Sequence, residues 1–215
     1  MQKFTLWASI VSSIIGGVAG AIYFVLATAG VVNYRDIAPL LFVAFLIVVW
    51  IPVAFELIFK IKIEKHSNIC YQAFMILSII VGSIWGIYDL IAYYDIFIHT
   101  LSGVLIAIIA YSLITSSKNI KLGAFWMFVV VFAITMACGG LWEIWEFVTD
   151  ILMNGNSQRV VGFVERAAVM DTMIDLICDM TGGILGGSIC VISYNKKLKA
   201  HKGVRDNNNI DTLLK

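Results

Sequence analysis

Charge is scarce in this chain: Asp, Glu, Lys and Arg make up 13% of its 215 residues, against about 25% in an ordinary soluble domain. With 60% hydrophobic residues and a mean hydropathy of +0.93, a soluble globular fold is excluded and a polytopic membrane protein is expected. No hydrophilic stretch is long enough for a second domain, no convincing internal repeat is visible, and no recognisable hydrolase or transferase signature appears. Nor is there a CxxC. Cys70, Cys138, Cys178 and Cys190 stand singly in apolar segments, which reads as small buried hydrophobes rather than disulfides or thiolate ligands. The net charge of +1 says little by itself, because in a membrane protein the side on which Lys and Arg fall is what matters. The partner expected is the lipid bilayer; no nucleic acid is expected.

What the chain does have is long apolar runs. Six of them, at about 5–29, 37–60, 69–92, 95–115, 122–150 and 172–194, are long enough to cross about 30 Å of hydrocarbon at about 1.5 Å per residue. The first resembles a secretory signal, with Lys3 before it and Ala27-Thr28-Ala29 near its end, but the run is about twice a normal apolar core for such a signal. It is read as a helix. The fold class expected is all-α: one six-helix transmembrane domain over residues 1–194, followed by a polar, basic tail, 195–215. Pro52 is expected to kink the second helix.

Orientation follows from the basic residues. With the N-terminus inside, Lys3, Lys60, Lys62, Lys65, Lys118, Lys121, Lys196, Lys197, Lys199, Lys202, Arg205 and Lys215 all lie inside, and only Arg35, Arg159 and Arg166 fall outside. Both termini are therefore expected in the cytoplasm.

On this topology the acids near membrane level are not scattered. Asp89 ends the third span, Asp95 opens the fourth with His99 one turn deeper, Glu143, Glu146 and Asp150 end the fifth, and Asp171, Asp175 and Asp179 open the sixth, all at the outer side. Glu56 stands apart near the inner end of the second span, where an i,i+4 ion pair with Lys60 would account for it. At about 100° per residue, Asp95 and His99 are about 40° apart, Glu143 and Glu146 about 60°, and the three aspartates of the last span lie within about 80°. Three polar stripes facing lipid would cost on the order of 5 to 10 kcal/mol, comparable to a whole protein's stability. They should converge on one interior cavity. Gly16, Gly17 and Gly20 of the first span, and Gly182, Gly183, Gly186 and Gly187 of the last, allow the close helix packing this needs. Trp142, Trp145, Tyr88, Tyr93 and Tyr94 at the same level form an aromatic belt.

One histidine among carboxylates, without thiolates, is the ligand set of a hard or borderline divalent cation such as Zn, Mn, Fe, Mg or Ca. A protonated, hydrogen-bonded network and an outward-solvated mouth are the alternatives. The candidate metal ligands are His99, Glu143, Glu146 and Asp175, with Asp179 as a further one. The spacing is not that of carboxylate di-iron bundles.

At these positions the chain resembles a known family. Tyr94-Asp95-x-x-x-His99 with Gly103, then Glu143-x-x-Glu146-Phe147, then Asp171-Thr172-x-x-Asp175 before a Gly-rich helix, is similar to the YjdF family of bacterial inner-membrane proteins. It is more distantly similar to the VanZ-like membrane proteins, linked to glycopeptide resistance. The likeness spans roughly residues 85 to 190. The VanZ-like sequences tend to have Asn where Asp179 stands and Gln where Glu146 stands. The resemblance marks the same site and carries no assigned activity.

Three functions fit. In the first, the metal activates water or an alcohol against the head group of a lipid or lipid-linked precursor, with Asp95 or Asp171 as general base and Arg159 and Arg166 receiving a phosphate. A proton- or cation-coupled transporter is the second, although acids are absent from the inner halves of the third to sixth spans and no inverted repeat is visible. The third is a non-catalytic membrane or resistance factor. The first is taken forward.

Overall fold

The computed structural model describes residues 2–91, 93–116, 120–153, 156–158 and 167–213. Among the described residues every regular element is helical: α1 (Lys3–Thr28), α2 (Ala38–Val48), α3 (Ile51–Phe59), α4 (Lys65–Met75), a π-helical segment (Ile76–Ile84), α5 (Ile87–Leu90), α6 (Tyr94–Ser116), α7 (Ala124–Met153) and α8 (Ala168–Leu213). Six helical stretches are long and apolar enough to cross a membrane: Lys3–Thr28, Ala38–Phe59, Lys65–Ile84, Tyr94–Ser116, Ala124–Leu152 and Ala168–Lys196. The protein is an all-α, multi-pass membrane protein. Its last helix runs on through the basic tail to Leu213.

The helices are inside out relative to a protein that folds in water. On α1 the buried positions are Thr5, Ser9, Ser12, Gly16, Gly20 and Tyr23, while Trp7, Ile14, Val18 and Val25 are exposed. Lipid solvates the apolar face, so small and polar residues turn inward, where they pack closely and bond across helices. Added methyl groups at Gly16 and Gly20 would collide with the rings of Phe45 and Phe42.

The second span is broken, as Pro52 leads one to expect. α2 stops at Val48 and α3 restarts at Ile51, with the proline in its first turn. Proline has no N–H for the carbonyl four residues back, and hydrocarbon has no water to replace it, so each freed carbonyl needs a protein donor. Tyr71 Oη donates to the Val48 carbonyl at 2.8 Å. The Val49 carbonyl accepts from Ser9 Oγ at 2.7 Å and Gln72 Nε2 at 2.9 Å. The third span changes from α to π at Ile76, and Tyr94 Oη, at the start of α6, donates to the Leu77 carbonyl there at 2.9 Å. That bond pegs the first turn of α6 to the π segment. Gly86, at φ 77°, then turns the chain into α5.

Glu56 departs from the sequence expectation. Its carboxylate is buried and accepts from Gln2 N (2.8 Å), Thr5 Oγ1 (2.8 Å) and Ile63 N (3.0 Å), with no ion pair to Lys60. Lys60 takes a left-handed conformation that ends α3, so the helical i,i+4 geometry that would lay it beside Glu56 is lost. The cysteines also divide: Cys178 and Cys190 are buried as expected, whereas Cys70 and Cys138 lie on the exposed surface of the bundle.

The C-terminal half of the bundle is α6, α7 and α8, in which α8 packs on both others. α7 buries Met127, Val131, Thr135, Gly139 and Glu143, one residue every four. α8 buries Asp171, Asp175, Cys178, Asp179, Gly182, Gly183, Gly186, Gly187 and Cys190. One stripe thus carries acids at one end and glycines at the other. Methyl groups added at Gly103 and Gly182 would strike backbone of the opposite helix, so α6 and α8 meet backbone to backbone just beyond the acids.

Candidate functional site

The α6–α8 contact determines where the acids go. Asp95 and His99 occupy the first two turns of α6, Asp171, Asp175 and Asp179 the first three of α8, and Glu143 approaches from α7 one turn beyond Gly139. All six are buried. His99 is their common neighbour. Its Nε2 is 3.8 Å from Asp95 Oδ1 and 3.9 Å from Asp175 Oδ2, and its Nδ1 is 3.5 Å from Asp179 Oδ2 and 4.0 Å from Glu143 Oε1.

The two sides of the imidazole differ. On the Nδ1 side Asp179 is held by Ser102 Oγ, whose one proton is shared between Asp179 Oδ1 and the His99 carbonyl, each at 2.7 Å, while both oxygens of Glu143 lack a hydrogen-bond partner. On the Nε2 side both oxygens of Asp175, a residue 1% exposed, lack a hydrogen-bond partner. Separations of 3.8 and 3.9 Å are too long for N–H···O bonds, which cluster near about 2.9 Å. Two ligands sharing one cation at about 2.1 Å lie about 3.4 Å apart in a tetrahedral site. Asp95, His99 and Asp175 offer one atom each within 4.8 Å of one another, and the two His99–Asp separations exceed the tetrahedral spacing by about half an ångström. Among the described residues no Lys or Arg is paired with Asp175, Asp179 or Glu143. Several buried carboxylates around one histidine repel one another unless protons or a cation intervene.

The remaining candidates sort themselves by geometry. Asp95, expected as a base, shares the Nε2 side with Asp175, whereas Glu143, expected as a ligand beside Asp175, approaches the other nitrogen. Asp171 is buried on the same face of α8. Glu146 is not within 4.0 Å of the ring; its Oε1 accepts from Trp142 Nε1 at 2.9 Å, and its Oε2 is buried without a partner. Asp89 leaves the cluster altogether and forms an ion pair with Arg35 of the α1–α2 loop. Asp150 accepts from the backbone amides of Ser157 (2.8 Å) and Gln158 (2.9 Å), and Gln158 Nε2 donates to Thr172 Oγ1 at 3.0 Å, so Ser157 and Gln158 are tied to the end of α7 and the start of α8. Arg159 and Arg166 lie outside the described residues.

Sequence reading passed over Ser102 and Gly139. Both had a signal: Ser102 is three residues from His99 and Gly139 four before Glu143, spacings that share a helix face.

Comparisons with known proteins agree with this architecture. The chain is 27% identical over 152 residues to an uncharacterized protein of Thermotoga maritima, covering 68% of this chain and 71% of that one. No solved structure matches it. Residues 14–196, from the middle of α1 into α8, match the family described as predicted membrane protein (DUF2238), and the chain belongs to that family.

Proposed function

We propose that this protein is a bacterial inner-membrane enzyme in which His99, Asp95 and Asp175 hold a divalent cation at the extracytoplasmic side, acting on the head group of a lipid or lipid-linked precursor. The observation that carries the reading is the pair of buried aspartates on the Nε2 side of His99. They stand there at 3.8 and 3.9 Å, and both oxygens of Asp175 lack a partner. A donor set of one imidazole and two carboxylates suits Zn, Mn, Fe, Mg or Ca. Such a cation lowers the proton affinity of bound water and polarises a phosphoryl or carbonyl oxygen.

The surrounding residues have distinct tasks. Asp179 and Glu143 face Nδ1 and orient the ring, as carboxylates beside metal-bound histidines do. Asp171, one turn nearer the start of α8, is the candidate base that takes a proton from water or an alcohol. Lipid is the natural source of substrate because α7 exposes Leu141, Trp142, Ile144 and Trp145 beside Glu143. Arg159 and Arg166 follow the stretch that Asp150 anchors and are candidate contacts for a phosphate. The sidedness rests on the distribution of Lys and Arg. The bacterial setting draws on the Thermotoga maritima relative and on the likeness to YjdF.

Element analysis of the purified chain tests the cation: one divalent ion per chain is expected, lost in His99→Ala and in Asp175→Asn. Head-group release from bacterial lipid extract in proteoliposomes should then require Asp175. A chain that carries no divalent ion in any preparation ends this reading. A packing role also has an observation in its favour, the Ser102–Asp179 bond joining α6 to α8. It takes over if His99→Ala lowers thermal stability without changing ion content. Cation flux across proteoliposomes, abolished by Asp175→Asn, would favour a transporter.

A further inference from the structure

Asp179 sits in a slot with three walls, two from α6 and one from α7. Ser102 on α6 donates to Oδ1 at 2.7 Å. His99 Nδ1, also on α6, is 3.5 Å from Oδ2. The third wall is Gly139 of α7, where an added methyl would collide with Oδ2 and lie 3.0 Å from Cγ and 3.2 Å from Cβ. The slot cannot widen by moving α8, because the Asp179 carbonyl already lies against Gly103, and Gly182 lies against the backbone of α6 at Thr100. A larger residue at 139 therefore displaces the carboxyl group rather than the helix.

From this geometry we infer that Gly139 and Ser102 are positioning residues for His99: they hold Asp179 against Nδ1, so that the ring keeps Nε2 turned toward Asp95 and Asp175. The inference deepens the proposed cation site and rests on His99 being a ligand there. An imidazole can present a lone pair at Nε2 in a fixed direction only when its other nitrogen is held by a partner, and the residues that place that partner govern affinity without touching the ion. Gly139 is thus required for space beside a carboxylate. Its neighbour Gly140 has nothing within 4 Å of an added methyl, so the two adjacent glycines form an internal control with the same gain in helix propensity on substitution.

The test is a cobalt(II) titration of the detergent-purified full chain, followed by its visible absorption bands. It is paired with nitrogen-15 spectra of histidine-labelled protein, in which the His99 signals are identified by their loss in His99→Gln. Gly139→Ala and Asp179→Asn should weaken cobalt binding by about 10- to 100-fold and shift the His99 ring signals. Ser102→Ala, which removes the donor without adding bulk, should shift the same signals with a smaller loss of affinity. Gly140→Ala should match the unsubstituted chain in both readouts. If the unsubstituted chain takes up no cobalt, the cation reading fails, and the ring signals alone then decide the positioning role. Gly139→Ala and Ser102→Ala leaving the His99 signals unmoved would overturn it.

Discussion

Glu56 and Asp175 are both carboxylates buried in apolar helices of the same bundle, 4% and 1% exposed, and their surroundings are opposite. Glu56 has a shell of its own, two backbone amides and a hydroxyl, drawn from the N-terminal end of α1 and from the approach to α4. Asp175 has no hydrogen bond and stands near a histidine that three other carboxylates also face. A buried acid that arrives with its donors is part of the fold, because the amides would themselves be orphaned without it. An acid without donors stores an unfavourable interaction that something from outside must relieve. The difference is the one expected between a structural carboxylate and a ligand of the proposed cation site, although both violate the composition of a membrane helix equally.

If the distinction holds, substitutions at the two positions move stability in opposite directions. Glu56→Ala leaves three donors without an acceptor and should cost about 3 kcal/mol in equilibrium unfolding from mixed detergent micelles, the largest effect expected here. Asp175→Asn removes a charge from a crowded cluster, so in the presence of chelator it should raise stability by about 1 kcal/mol. Added divalent cation should then reverse the order: at about 100 times its Kd it should stabilise the unsubstituted chain by about 2.7 kcal/mol and leave Asp175→Asn unmoved. Should Asp175→Asn destabilise the chelated protein as Glu56→Ala does, the two carboxylates belong to one structural class. The smallest effect concerns a neutral bond near Glu56. Tyr71→Phe deletes the donor to the Val48 carbonyl and should cost about 0.6 kcal/mol, the usual size of a hydrogen bond between membrane helices.

Much of this was legible in the residues themselves, because membrane helices are constrained by length and by polarity. Hydropathy marks the six spans, and 100° geometry places Asp95 with His99 and aligns Asp171, Asp175 and Asp179 on one face of α8. Which side of the imidazole each acid would approach was not legible, because a face is an angle about one helix axis and says nothing of where a partner helix crosses it. Asp95 shares the Nε2 side with Asp175, and Glu143 approaches Nδ1. Glu56 was misread for a related reason. Its partners Gln2 and Thr5 are more than fifty residues away, and a local spacing to Lys60 offered an explanation where no local signal could point to the true one. Pro52 announced the break in the second span. Nothing in Ile76–Ile84 announces π geometry, which is sustained by tertiary donors such as Tyr94.

The contact of α6 with α8 bears on how the protein can change. Gly103 and Gly182 set the distance between the two backbones, while Gly139 sets only the space beside one carboxyl group. Variants at the first two positions should therefore disappear from the membrane, taking the site with them. Those at Gly139 should persist as abundant, well-folded chains with a misdirected histidine. In a survey of all substitutions scored separately for protein level and for activity, the pair would lose both together, and Gly139 would lose one alone.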